Sequence, residues 1–179
     1  IGTKWAMGSW IKTCQGDPLF PSHFSPFQDL DTDGANGLLF FVSSSDPDSS
    51  SFFAHTYVTA STTTWKESTE NFGTQYISHW ETFQVPGKQG KYILPYTQNN
   101  SGMIVMNKEL ETVWKKTTEQ LGGNPIFPYP TSCVGDLNGD GSPEIVLGFQ
   151  SSNYLDSWIA SINPETGEEI ARSATFTDS

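Results

Sequence analysis

The sequence is poor in positive charge: nine Lys and Arg residues stand against 20 Asp and Glu in 179 residues, a net charge of −11. Proteins that bind the phosphate backbone of nucleic acids carry stripes of basic side chains. The charge balance therefore argues against a nucleic-acid partner. Long hydrophobic runs are missing as well. The longest, Leu38 to Val42, is far shorter than the roughly 20 apolar residues of a transmembrane helix, so we expect no membrane span.

Cysteine is scarce, with only Cys14 and Cys133 in the chain. Two cysteines are too few for a disulfide scaffold. A metal site built on them is not expected, because neither belongs to a Cys-x-x-Cys motif or has a histidine nearby. Two separate thiols and one long-range disulfide both stay open, and secretion would favour the disulfide.

Residues that favour helices are scattered. Ala, Leu, Glu, Lys and Arg never recur at a spacing of 3.6 over three turns, and Pro or Gly interrupts most windows. Hydrophobic residues make up only 35% of the chain, yet aromatic residues reach 13%, so a core can still form. With so many uncharged polar residues, this composition predicts a β-rich domain that is extracellular or at the cell surface.

The chain contains an internal repeat. Segments 27–34 and 134–141 align without gaps and share the pattern Asp-x-Asp/Asn-x-Asp-Gly, with 107 residues between their equivalent positions. Each precedes a strand-like apolar run, 38–42 in the first case and 144–149 in the second. A third such run, 91–96, begins 53 residues from the start of each of the other two, behind a turn without acidic residues. Three units therefore follow one another along the chain.

Each repeat of about 50 residues holds four short apolar stretches separated by Gly, Pro and Asn turns, the spacing of a β-propeller blade. We therefore predict an all-β fold of four-stranded antiparallel sheets, about three and a half blades in all. The predicted parts are a remnant of a preceding blade over 1–22, a blade with an acidic loop over 23–74, a blade without one over 75–128 and a blade with the second acidic loop over 129–179. A β-sandwich, which also has short strands and regular turns, is the alternative.

The second acidic loop has an oxygen-bearing residue at positions 1, 3, 5, 7 and 9. These residues are Asp136, Asn138, Asp140, Ser142 and Glu144. Calcium takes about 6–8 oxygen ligands, and Gly141 at position 6 permits the sharp turn that directs them to one centre. A set of hard oxygen donors argues against zinc or copper, so we predict Ca²⁺. An EF-hand is not expected, because position 12 lies in a strand-like run and no helices flank the loop.

The first acidic loop is incomplete. Asp29, Asp31 and Asp33 occupy positions 1, 3 and 5, but Gly37 at position 9 offers no side-chain oxygen. Calcium binding completed by a water or by Asn36, and poor binding only, both stay open. For either loop the alternative is a turn rich in Asp and Asn that caps the sheet without an ion.

The stretch Val-Gly-Asp-Leu-Asn-Gly-Asp-Gly-Ser-Pro-Glu-Ile-Val-Leu-Gly over 134–148 resembles the FG-GAP/VCBS repeats, the calcium-loop blades of integrin α-subunit-like propellers. The first loop matches over 29–34 and then departs from the pattern. Two further stretches, 103–114 and 158–169, resemble blades of quinoprotein-like propellers. Together the resemblances cover 20–175. They imply propeller architecture, bound Ca²⁺ and an extracellular structural, adhesion or protein- or glycan-binding role.

Propellers close with about 4–8 blades, more than this chain supplies. An open stack would expose apolar blade faces, and large exposed apolar patches mark interaction sites. We therefore expect the chain, which begins at Ile1, to be a piece of a larger propeller whose partners are other blades of the same polypeptide or neighbouring chains. The alternatives are a subunit of a surface filament and part of a propeller enzyme, quinoprotein dehydrogenase-like or polysaccharide-acting. No catalytic residue is predicted.

Two smaller features complete the prediction. Asn99 begins an Asn-Asn-Ser sequon in a predicted turn and is a candidate for N-glycosylation in a eukaryotic secreted protein. His23, His55 and His79 have no Ser/His/Asp spacing or nucleophile elbow beside them, so we expect them to be structural.

Overall fold

The chain forms two compact units, Ile1–Gln75 and Tyr76–Ser179. The computed structural model describes residues 20–24, 29–30, 32, 34, 37–43, 52–58, 63–68, 70, 77–97, 102–126 and 133–177. Every sheet in these residues is antiparallel, and each is built from consecutive strands joined in a meander.

The first unit holds one four-stranded sheet, called the first sheet. Its strands are β1 (Phe20–Phe24), β2 (Gly37–Ser43), β3 (Phe52–Val58) and β4 (Thr63–Glu67), paired in that order. β1 lies at the edge of the sheet, the position that tolerates Pro21, and its pairing with β2 is irregular between Pro21 and His23. In the central strand β2, Leu39 and Phe41 alternate along one face and are fully buried.

The second unit begins with another four-stranded sheet, the second sheet. Its strands are β5 (Ile77–Gln84), β6 (Lys91–Thr97), β7 (Met103–Met106) and β8 (Thr112–Lys116). Both faces of β6 are buried from Tyr92 to Tyr96. This explains why its sequence is a continuous aromatic and aliphatic run, with no alternation of polar residues.

A single helical turn, α1 (Thr118–Leu121), follows the second sheet. Thr117 and Gln120 form a reciprocal capping box at its start, and Gly122, with φ +74°, ends it in the left-handed conformation. Within the described residues no helix has the length and hydropathy needed to cross a membrane.

The third sheet completes the second unit. After the short strand β9 (Asn124–Ile126) come β10 (Cys133–Gly135), β11 (Glu144–Gln150), β12 (Asp156–Ile162) and β13 (Glu169–Arg172), which pair in that order. β9 also pairs with β11, and the last strand, β14 (Phe176–Thr177), pairs with β12. The central strands β11 and β12 run side by side from Ile145 opposite Ile162 to Gln150 opposite Ser157.

The core of the second unit lies between one face of the second sheet and one face of the third. The second sheet contributes alternate residues such as Leu94, Val105 and Trp114, and the third contributes Leu147 and Ile162 among others. The cluster consists of Phe83, Val85, Tyr92, Leu94, Tyr96, Met103, Val105, Trp114, Leu121, Ile145, Leu147, Phe149, Trp158, Ala160 and Ile162. Fully burying one such aliphatic or aromatic side chain contributes roughly 1.5–3 kcal/mol, so this face-to-face packing dominates the stability of the unit.

Polar contacts also join the second sheet to the third. The indole N–H of Trp114 donates to the carbonyl oxygen of Pro164 at 2.8 Å. The same ring lies against Gly167, where an added Cβ would come within 2.9 Å of it. Lys116 pairs with Glu168 at 2.7 Å nearby. Gly167 is therefore required both for its positive φ, +70°, and for the close approach of the tryptophan.

The predicted all-β class is confirmed, and so are antiparallel sheets of four or more strands. The arrangement of these sheets as propeller blades, the count of three and a half blades and the four predicted segments stay predictions.

Candidate metal centre

The second acidic loop connects β10 to β11 and is shaped by backbone hydrogen bonds to one carboxylate. Asp136 Oδ1 accepts from the N–H groups of Gly139 at 2.7 Å and Asp140 at 3.1 Å, and Oδ2 accepts from Gly141 at 2.9 Å. Gly139 and Gly141 have φ values of +79° and +89°. Open space surrounds both, so the backbone conformation, rather than crowding, demands glycine here.

Glu144 closes the loop from the first residue of β11. Glu144 is only 3% exposed, and among the described residues it is the one charged residue that is buried. Oε2 accepts from the backbone N–H of Leu137 at 2.8 Å, and Oε1 accepts from Asn138 Nδ2 at 2.9 Å. Burying a carboxylate is costly unless hydrogen bonds satisfy it, and these two bonds tie the loop to the start of the central strand.

Three carboxylates converge in this loop. One oxygen each from Asp136, Asp140 and Glu144 lies within 4.8 Å of the other two. The amide of Asn138 stands between two of them, because Nδ2 donates to Asp140 Oδ2 at 3.0 Å as well as to Glu144. Among the described residues, the hydrogen bonds to these three carboxylates come from neutral N–H groups, which offer partial charges against three formal negative charges.

Hydrogen bonds to Asp140 favour its charged form. The backbone N–H of Ser142 donates to Oδ1 at 2.8 Å, and this bond, followed by the one from the Asn138 amide, lowers the pKa of Asp140 below its usual value. An exposed carboxylate held in its ionised form is available as a ligand for a cation.

The structure thus brings four of the five predicted ligands of the second loop close together: the carboxylates of Asp136, Asp140 and Glu144 converge, and the Asn138 amide bonds to the last two. Ser142 joins them through its backbone N–H. Asn138 presents its amide N–H₂ to the carboxylates while its Oδ1 accepts from the Asp140 N–H at 2.8 Å. To act as a ligand through Oδ1, as the sequence predicts, this side chain has to turn.

The donor set fits calcium. Carboxylate and amide oxygens on a flexible loop match the oxygen ligands that Ca²⁺ prefers, and the cluster includes no sulfur or imidazole donor of the kind that soft metals select. Asp136, Asp140 and Glu144 would hold the ion directly.

The described residues of the first acidic loop share three backbone features with the second. Gly34 N–H donates to Asp29 Oδ2 at 2.9 Å, the counterpart of the bond from Gly141 to Asp136. Thr32 and Gly34 have φ values of +59° and +90°, and they stand 107 residues before Gly139 and Gly141. The predicted ligands Asp31 and Asp33, with Asn36, lie outside the described residues.

The two loops differ at position 9. Gly37 is the first residue of β2, as Glu144 is the first residue of β11, but it brings no carboxylate. The left-handed conformation of Thr32 was not among the predictions. The 107-residue alignment of Thr32 with Gly139 could have suggested it, because glycine is the usual residue at such a position.

Other predicted features lie at the edge of the described chain. Asn99, the candidate glycosylation site, and Cys14 lie outside it, so glycosylation and the pairing of Cys14 with Cys133 stay open. Cys133 begins β10. The exposed ring of His79 stacks on Tyr96, with centroids 5.7 Å apart, and within the described parts of the chain His79 belongs to no cluster of metal-ligating side chains.

No family model, no curated protein and no solved structure shows a significant match to the chain.

Proposed function

We propose that this chain is a calcium-stabilised segment of an extracellular β-propeller, with a structural, adhesion or protein- or glycan-binding role. The observation that carries the proposal is the convergence of Asp136, Asp140 and Glu144 within 4.8 Å. Two unit charges 4 Å apart repel by about 1 kcal/mol in bulk water and about 4 kcal/mol at the effective dielectric constant near a protein surface. Three carboxylates packed this closely gain from a bound divalent cation.

Calcium at this position would stabilise the fold through the strand that follows the loop. Glu144 is directly followed by Ile145, which is fully buried in the core between the second and third sheets. A cation that holds Glu144 also holds Asp136, which directly follows the last residue of β10. The ion would therefore fasten the ends of two paired strands, and unfolding of the third sheet would release it.

The propeller half of the proposal is supported by two matching hairpins. Asn107 follows the last residue of β7, and Asn163 follows the last residue of β12. In each turn the Asn Oδ1 accepts from the N–H two residues further on, at 3.0 Å for Asn107 and 2.8 Å for Asn163. Each hairpin also has a register shift at its last strand pair, before Met106 and before Ile162. Met106 and Ile162 are therefore equivalent positions.

The second and third sheets turn opposite faces, judged by equivalent positions, toward the core between them. Val105 and Ile162 belong to the core cluster between the two sheets, whereas Met106 does not. Ser161, the counterpart of Val105, lies between Ala160 and Ile162 on the strand and so points away from that cluster. If a two-fold axis related the two sheets of a sandwich, the same face of each sheet would be buried, and equivalent positions would face each other. Repeats stacked in the same sense bring opposite faces together, as propeller blades do.

Stacking in the same sense leaves the outer face of the third sheet for a further sheet. Ile126 and Ile159 are 42% and 50% exposed there, and they flank Gly148 in the strand register. Apart from Glu144, which closes the acidic loop at the start of β11, the strand residues on this face are uncharged, although the chain carries a net charge of −11. Depletion of charge is typical of the core of an interface. We propose that another blade of the same polypeptide or of a neighbouring chain covers it.

Calcium titration tests the proposal. A ligand at 100 times its Kd stabilises the folded state by about 2.7 kcal/mol, and about 2–4 °C of Tm corresponds to each kcal/mol in a chain of this size. We expect millimolar Ca²⁺ to raise Tm by about 5–10 °C over EDTA, with Mg²⁺ far less effective at the same concentration. Absence of both a binding heat and a Tm shift would overturn the calcium site.

A crystal structure grown with calcium separates the two halves of the proposal. It is expected to place the ion among the carboxylates of Asp136, Asp140 and Glu144. Independently, a closed or continuing ring of sheets in the parent protein would support the propeller, and two sheets facing each other with no further repeat would contradict it.

A further inference from the structure

We draw no further inference here: the strongest candidate, the outer face of the third sheet around Ile126 and Ile159, belongs to the packing surface already proposed, and nothing in the structure shows whether the same polypeptide or a second chain covers it.

Discussion

The two acidic loops share backbone features at positions 1, 4 and 6 and differ at position 9. In both, an aspartate at position 1 accepts from the glycine N–H five residues later at 2.9 Å, and positions 4 and 6 have positive φ. The second loop ends in the buried carboxylate of Glu144, and the first ends in Gly37. The Asp–Gly bond therefore recurs in both loops, and the residue that opens the next strand decides whether a carboxylate closes the loop.

The loops also differ in how their second residue is used. Leu30 is fully buried, whereas its counterpart Leu137 is 61% exposed. Burial of a leucine contributes roughly 1.5–3 kcal/mol, so the first loop has an apolar anchor that the second lacks. We infer that burial of the side chain at position 2 stabilises the first loop and contributes little to the second.

The largest effect is expected from Glu144→Gln, which keeps the shape of the side chain and removes its charge. The amide offers one acceptor where the carboxylate accepted from both Leu137 and Asn138. We expect a loss of about 1–3 kcal/mol of unfolding free energy in EDTA, and calcium should no longer restore it. Urea denaturation with and without calcium measures both quantities.

Glu119→Gln is the matched control for that variant, because it removes an exposed acid from α1, away from the loop. Its effect is expected to stay within about 0.5 kcal/mol, with the response to calcium intact. If Glu144→Gln kept the full calcium response, the buried carboxylate would not be a ligand, and the contrast between the loops would lose its basis.

The next effect compares position 1 of the two loops directly. Asp136→Asn removes a charge from the three-carboxylate cluster, so we expect calcium affinity to fall by about 10–100-fold or more. Asp29→Asn should leave affinity unchanged, because the first loop lacks the closing carboxylate. Isothermal titration should give one tight site per chain. Two equal sites, one of them lost in Asp29→Asn, would show that a water or Asn36 completes the first loop.

A third pair tests the shared backbone. Gly34→Ala and Gly141→Ala each place a Cβ in open space at a φ near +90°. Left-handed conformation costs about 1–2 kcal/mol for a residue with a Cβ, so both variants should lose a similar amount of stability in EDTA. A clear inequality between the two would mean that one loop can relax to another conformation, and the common framework would then be incidental.

Several features of the site could be predicted from the sequence, because local spacing determines them. Alternate oxygen-bearing residues with a glycine at position 6 fold into a tight turn whatever surrounds them, and the structure brings Asp136, Asp140 and Glu144 together as the spacing predicts. The orientation of Asn138 was not predictable. It follows from three hydrogen bonds formed at once: Oδ1 accepts from the Asp140 N–H, and Nδ2 donates to the carboxylates of Asp140 and Glu144.

For the fold as well, the features that could be predicted are those that local sequence determines. Strands of five to eight residues can be predicted because their apolar runs lie between Gly, Pro and Asn turns. The short strands β9 and β14 carry no periodicity of their own and pair only because β11 and β12 extend past their main neighbours. The sense in which the second and third sheets stack depends on which face of each strand is buried, and a spacing of about 53 residues does not determine that parity.

The smallest effect concerns pH and separates Asp140 from the rest of its loop. Hydrogen bonds from the Ser142 backbone N–H and then from the Asn138 amide lower the pKa of Asp140 from the ordinary value of 3.8. The folded state therefore binds this proton less tightly than the unfolded state. The resulting stabilisation is fully present above pH 3.8 and disappears as the pH falls through the lower pKa of the folded state.

In calcium-free buffer, where protons do not compete with calcium, Asp140→Asn should flatten the loss of stability below that pH. Urea midpoints measured at successive pH values for the two proteins would show it. Because Asp140 is exposed, solvent weakens these hydrogen bonds, and the difference should be smaller than for any variant above. Parallel curves for the wild type and the variant would mean that the Asp140 carboxylate gains nothing from the loop in the folded state.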